Sequence, residues 1–366
     1  MSGMISAGTI IALVVGAGML GLPFVISQAG FWNGVFQIVF LGLMITVLNL
    51  FVGEVVLRTK GNHQLVVLAK RYLGVNAKRL MFWAFILSQY GALTAYLVGI
   101  NSVLVNVFGF YGHLISYLVI GAMFILLLFR LHVIARAESF LSLLLVGVIL
   151  LLCMFIVPNS RFENFSIISS TPFVGYGVIL FGFMGFTIIP EVAREMNDDK
   201  KNLAKIIMFS YGVIIFLYVL FSYSFVGVFG SSVDSVATQS LTGGLLFIGA
   251  FMTLLLFVTS FLAIGVVMKD MFMLDMKFKK RVPWFLTLAV PLFAWLVLQP
   301  GFIGILSVIG SFSGGVIGCM ICLMVIKSRE KSNRKPEFVV GGSDFLPYLM
   351  MIILIAGMAW QISVLI

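Results

Sequence analysis

Long apolar runs, separated by short polar clusters, fill this chain. They fall at about 4–28, 33–57, 79–108, 113–130, 137–157, 172–195, 205–229, 243–269, 284–299, 302–326 and 345–365. Most reach the roughly 20 apolar residues that cross a bilayer as a helix, the fourth and ninth being shorter. Gln299-Pro300-Gly301 is the turn signal dividing the close pair 284–326. The pattern predicts an all-α polytopic membrane protein with 11 transmembrane helices.

Composition agrees. Of 366 residues, 61% are hydrophobic and only 10% charged, and the mean hydropathy is +1.18. No soluble domain of this length looks like that. The first charged side chain is Glu54. The opening run has no basic stretch ahead of it and no soluble domain behind it. It reads as a first membrane span rather than a cleaved signal.

The net charge of +10 invites a nucleic-acid reading, but the positions of the charges oppose it. Basic residues sit in the linkers 2–3, 4–5, 6–7, 8–9 and 10–11, which hold every Lys and Arg but Arg161. That is a topology signal. By the positive-inside rule the N-terminus is cytoplasmic and the C-terminus lies outside the cell membrane.

Spans 1–5 cover about 4–157 and spans 6–10 about 172–327. Five is odd, so the second half enters the membrane inverted. The expected architecture is a 5+5 inverted repeat with one extra helix at about 345–365, all in a single transmembrane domain over 1–366. The linkers match this symmetry. After span 2, Gln64 to Tyr72 puts Leu65, Leu68, Ala69 and Tyr72 on one helical face. After span 7, Val233, Val236 and Ala237 lie at helical spacing within Ser231–Gly243.

Both halves open on a damaged helix. Span 1 carries Gly16-Ala-Gly-Met-Leu-Gly21. Span 6 carries Phe181-Gly-Phe-Met-Gly-Phe186, followed by Pro190. Glycine and proline weaken helices, and lipid tolerates irregular backbone only where it lines a cavity. Paired breaks at corresponding positions point to a transporter's binding site. Freed N–H groups at the positive end of a half-helix suit a carboxylate, and freed carbonyls suit an ammonium group or a sodium ion. By contrast, Gly91, Ala95 and Gly99, and Gly310, Gly314 and Gly318, repeat every four residues and read as close packing.

GAGMLGLPFVISQAG in span 1 and FGFMGFTIIPEVARE from Phe181 to Glu195 resemble the amino acid/auxin permease family. They are equally similar to the related bacterial aromatic and hydroxy amino acid permeases. Both belong to the amino acid–polyamine–organocation superfamily, with the leucine-transporter fold. The resemblance implies that Ala17 and Gly18 hold the substrate's carboxylate through backbone amides, with Gly16 beside them in the substrate site. Carbonyls near Val14 and in Phe181–Phe183, including Gly182, would hold its amino group. Phe181 would cap it, with Met19, Phe183 and Met184 shaping the side-chain pocket.

The resemblance also bears on coupling. Thr259 and Ser260 match a sodium site to which Ala12, Val15 and Leu256 would add carbonyls. Met19 stands where that fold uses an asparagine for a first sodium, which implies one sodium. Some relatives use a span-5 lysine instead, and Glu138 to Val157 has none. The expectation is a sodium-coupled symporter of a neutral amino acid working by alternating access. Proton coupling and a non-transporting amino acid sensor stay open.

The remaining chemistry is thin. His63, His113 and His132 lie apart without ligand spacing, so no metal other than sodium is expected. Cys319-Met-Ile-Cys322 lies within an apolar span. Glu54, Glu191, Glu195, Asp270 and Asp275 near the cytoplasmic ends are expected to form ion pairs. No nucleotide, hydrolase or protease motif occurs, so no enzyme and no cofactor are expected. The expected partners are an amino acid and lipid. Oligomeric state is left open.

Overall fold

The computed structural model describes residues 2–365 apart from 62, 130–133, 166–172, 275–277, 279, 280 and 333. Arg130, His132, Asp275, Lys277, Lys279 and Lys280 lie outside the described residues. The described residues form helices without strands. They are α1 (Ser2–Val14), α2 (Leu22–Ala29), α3 (Phe31–Leu57), α4 (Leu65–Leu73), α5 (Val75–Phe108), α6 (Phe110–Leu126), α7 (Ile134–Ile156) and α8 (Tyr176–Phe183). Then come α9 (Ile188–Glu195), α10 (Leu203–Phe229), α11 (Gly243–Leu274), α12 (Val282–Phe293), α13 (Phe302–Val308), α14 (Gly315–Lys331) and α15 (Phe345–Leu365).

Helices fall on the apolar runs. Among the described residues, seven stretches are long and apolar enough to cross a membrane, and the pair Gly3–Val14 and Ala17–Ala29, bent by 49°, makes an eighth. Phe110–Leu126, Val146–Asn159 and Val282–Leu298 are shorter apolar helices. Phe36 and Leu43 on α3, Phe216 on α10, Phe251 on α11 and Ile352 on α15 are exposed. Large apolar side chains presented outward on successive helices suit lipid rather than water.

The glycine stripes pack helices together. A Cβ on Gly91 would lie 2.5 Å from Ile309, one on Gly99 2.4 Å from Phe257, and one on Gly318 2.7 Å from Leu354. At Gly310 it would lie 1.8 Å from the carbonyl oxygen of Gly177. There α8 meets the π-helical turn Ile309–Gly314 backbone to backbone, which only glycine permits. α15 joins α14 through the same stripe, and Ser307 and Ser311 donate to Gln361 Oε1 at 2.8 and 3.1 Å.

The linkers after α3, after α9 and after α14 meet at one face, here the basic face. Glu54, wholly buried near the end of α3, accepts from Arg58 at 2.8 Å, Arg329 at 3.0 Å and the Val340 amide at 2.9 Å. A buried carboxylate persists only when paired in this way. It pins the linker 332–344 onto α3. Glu191 pairs with Arg194 one turn away. The amphipathic linker helix is α4, with Leu65, Leu68, Ala69 and Tyr72 buried. The segment after α10 forms two 3₁₀ turns, Gly230–Ser232 and Ala237–Ser240, rather than a helix. Val233, Val236 and Ala237 are buried beneath it. It is fastened by Thr238 to Thr253 at 2.7 Å and by Gln239 to Ser102 at 2.8 Å.

Candidate functional site

Helix α1 stops at Val14. Gly16 takes extended backbone (φ −125°, ψ −157°), a 3₁₀ turn covers Ala17–Gly21, and Leu22-Pro23 starts α2. Proline at the second helical position loses no hydrogen bond, because its N–H would be an orphan there. No described backbone acceptor takes the amides of Ala17 and Gly18. Helix α8 stops at Phe183, Met184 is extended, and α9 begins at Ile188 with Pro190 in its first turn. The first N–H groups of the helices that follow are already used, Leu22 donating to Met19 O and Ile188 to Gly185 O, and Pro23 and Pro190 carry none, so the unpaired donors at the first break are the Ala17 and Gly18 amides.

A cavity of about 170 Å³ lies where the breaks meet. The first break contributes Leu13, Val14, Gly16, Ala17 and Gly18. The second contributes Phe181, Gly182, Met184, Gly185, Phe186 and Thr187. Phe85, Ser88, Gln89, Ala92 and Tyr96 form one stripe of α5, at helical spacing, and α11 adds Ser260 and Ile264. Among the described residues, no Asp, Glu, Lys or Arg lines it.

The cavity lies on the α1 and α9 side of the breaks, with Leu13 and Thr187 exposed at its edge. The other side is filled. Met19, Leu20, Ile179 and Leu180 are buried there, and the 3₁₀ turn at Ala237–Ser240 packs on Ala17–Gly21. Phe181 lies flat against Gly18, where a Cβ would come within 3.0 Å of its ring and 2.9 Å of Gly182 Cα. Gly16 has room, since an added Cβ meets nothing nearer than 3.9 Å.

Of the residues expected to bind substrate, Val14, Gly16, Ala17, Gly18, Phe181, Gly182 and Met184 share this cavity. Met19 and Phe183 stand behind it, both wholly buried, with the Phe183 ring 4.8 Å from that of Tyr218. Of the residues expected around sodium, Ser260 reaches the cavity. Thr259 turns its hydroxyl back on its own helix, donating to Leu255 and Leu256 carbonyls at 2.8 and 3.1 Å. Ala12, Val15 and Leu256 are buried outside the lining. In α5, Gln89 faces the cavity, whereas Tyr90 donates to Leu286 O and Thr94 to Tyr90 O.

Two tyrosines on α10 complete the site. Tyr218 Oη lies 2.9 Å from Val14 O and 2.6 Å from Gly182 O, one carbonyl from each break. Tyr211, two turns earlier, donates to Phe183 O at 3.2 Å and accepts from Asn49 of α3 at 2.9 Å. Both side chains are wholly buried. The carbonyls expected to meet an amino group thus already have hydroxyl partners. The sequence signal was a seven-residue spacing on one helical face, easily taken for core.

Broken helices, outward apolar surfaces and a cavity where the breaks meet are the features of a membrane permease. The chain belongs to the tryptophan/tyrosine permease family, whose profile matches residues 1–361. It is similar to amino acid transporter ANT1 of Arabidopsis thaliana, 26% identical over 261 residues, covering 64% of this chain and 58% of that protein. It is also similar to amino acid transporter AVT1H of Arabidopsis thaliana, 20% identical over 250 residues, covering 63% of this chain and 57% of the relative. The chain thus spans less than two thirds of the length of either relative.

Proposed function

We propose that the chain is a secondary active transporter of neutral, aromatic amino acids. The observation that carries this is the single cavity at which Gly16–Gly18 and Phe181–Gly185 meet. Free amides at Ala17 and Gly18 supply donors for a carboxylate. Phe85, Tyr96, Phe181 and Phe186 offer aromatic walls, and Ser88 and Gln89 offer polar atoms to a ring hydroxyl or indole N–H. The uncharged lining disfavours a charged side chain.

In this reading the helices make eleven crossings, as two inverted sets of five plus α15. The basic face is cytoplasmic by the positive-inside rule, so the cavity opens inward and the Ser231–Gly243 segment closes the outer side. Alternating access then rocks α1, α2, α3, α8, α9 and α10 against the rest. Coupling is to one sodium ion, held beside Ser260 and Thr259 with carbonyls of Ala12, Val15 and Leu256.

The test is thermal stability of the purified chain against the twenty amino acids, each in sodium and in potassium. A ligand of the folded state raises the midpoint by mass action. The expected result is a rise with tryptophan or tyrosine in sodium only, followed by sodium-driven uptake in proteoliposomes. A rise that ignores sodium but follows pH replaces sodium with a proton. Saturable binding without flux makes the chain a sensor. No response to any amino acid overturns the proposal.

A further inference from the structure

A second cavity, of about 350 Å³, lies at the basic face, apart from the breaks. Three stretches distant in sequence build its wall. Lys60 and His63 come from the linker after α3, Arg194 from the last turn of α9, Lys200 from the linker before α10, and Arg334 from the linker after α14. Topology explains why such linkers are basic. It does not explain why three of them direct four cations into one cavity, where like charges repel.

The charges there do not balance. Arg194 pairs with Glu191, and Arg334 with Glu337. The C-terminal ends of α3 and α9 border the cavity, and each carries roughly half a negative charge. Set against four fixed cations, two carboxylates and two helix ends leave about one positive charge over. The surplus falls on Lys60 and Lys200, which have no ion-pair partner among the described residues. An anion with several acceptor oxygens would satisfy these groups together. Lysine offers it a point charge and arginine a planar fork of donors, while His63 lines the wall with its Nε2 donating to Lys60 O at 3.1 Å.

We infer that this cavity binds a phosphate group, carried by an anionic phospholipid headgroup or by free phosphate. Helix α4 begins two residues beyond His63, with its apolar face buried and Lys70 and Arg71 in its last turn. That face packs on α5 and α14, and Lys70 and Arg71 lie exposed at the basic face, which meets anionic headgroups in the orientation proposed above. A phosphate seated here would join α9, which carries the second break, to the end of α3 and to the linker after α14.

The test uses the full chain in neutral detergent and reads its thermal midpoint. The titrants are short-chain phosphatidylglycerol, short-chain phosphatidylcholine, glycerol 3-phosphate and inorganic phosphate. Phosphatidylglycerol is expected to stabilise saturably, and phosphatidylcholine is not. In Lys60→Gln/Lys200→Gln, the affinity for phosphatidylglycerol falls about thirtyfold, the loss expected for two basic side chains facing an anionic headgroup. An unchanged midpoint without titrant shows that this variant is folded. Asp198→Asn/Asp199→Asn, which removes the two carboxylates next to Lys200 in sequence, is run in parallel and is expected to bind at least as tightly as wild type. If glycerol 3-phosphate and inorganic phosphate match the lipid, the natural ligand is free phosphate. If only the lipid binds, it is the headgroup. Equal responses to both lipids, or a lysine variant that binds like wild type, overturn the inference.

Discussion

Tyr218 sets its hydroxyl 2.6 Å from the carbonyl oxygen of Gly182. The same hydroxyl lies 2.9 Å from Val14 O, so one phenol ties α10 to both breaks. It has a single proton to share between two buried carbonyls. Tyr218 therefore fixes how the first break, with its free amides, faces the second, with Phe181 above it.

Tyr218→Phe should loosen that arrangement while keeping the ring. Removing one partner of a buried hydrogen bond costs about 1–3 kcal/mol. The thermal midpoint should fall, and amino acid affinity should weaken about tenfold, the equivalent of about 1.4 kcal/mol. Tyr211→Phe is the control. Tyr211 bonds Phe183 O, which stands behind the cavity, so it should lower the midpoint and leave affinity near wild type. Binding titrations on both variants check the contrast, and equal losses of affinity would remove Tyr218 from its positioning role.

Gly18 and Gly16 predict opposite outcomes. An alanine Cβ at Gly18 would lie 2.9 Å from Gly182 Cα, a backbone atom that cannot rotate away. Overpacking of this kind costs about 1–3 kcal/mol. Here it falls between the breaks, so Gly18→Ala should abolish uptake. At Gly16 the nearest atom is 3.9 Å away and φ is negative, so Gly16→Ala should keep affinity within about threefold, or roughly 0.7 kcal/mol. Uptake in proteoliposomes, normalised to reconstituted protein, separates the two.

The breaks and the helical class were legible because glycine and proline inside apolar runs leave few alternatives in lipid. Gly16–Gly21 and Phe181–Phe186 fall where the helices end. Partners set by tertiary packing were not legible. Tyr211 and Tyr218 sit in an apolar helix, where their hydroxyls gave no sign of bonding carbonyls on α1 and α8. The pair Thr259-Ser260 looked alike in sequence, but helical geometry sends Ser260 to the cavity and Thr259 back to its own turn. The Ser231–Gly243 spacing suggested a helix, yet with its Gly, Ser and Asp residues it became two 3₁₀ turns.

Sodium coupling tests that division of Thr259 and Ser260. If the ion sits beside Ser260, Ser260→Ala should raise the sodium concentration for half-maximal binding about tenfold, the equivalent of about 1.4 kcal/mol. Thr259→Ser keeps a hydroxyl and should bind sodium as wild type does. Sodium titrations at saturating amino acid measure both. If Ser260→Ala changes amino acid affinity and leaves the sodium dependence alone, the hydroxyl belongs to the substrate's side of the cavity.

The buried carboxylate of Glu54 holds Arg58, Arg329 and the Val340 amide, and Arg329 continues to the Ser343 carbonyl at 2.8 Å and to Asp344 at 3.2 Å. Removing either member of the Glu54–Arg329 pair leaves the other charge buried. Glu54→Met and Arg329→Met should each destabilise the chain by about 3–5 kcal/mol. The double variant leaves no buried carboxylate unpaired, since Asp344 is half exposed, and two apolar side chains fill the gap while Arg58 loses its partner. Its loss should fall short of the sum of the single losses by about 1–3 kcal/mol, the coupling typical of groups in one network. A double-mutant cycle on unfolding in mild detergent measures that coupling directly. Additive losses would mean that the linker 332–344 is held by Phe338 against Gly53, whose added Cβ would lie 3.0 Å from that ring, rather than by the ion pair.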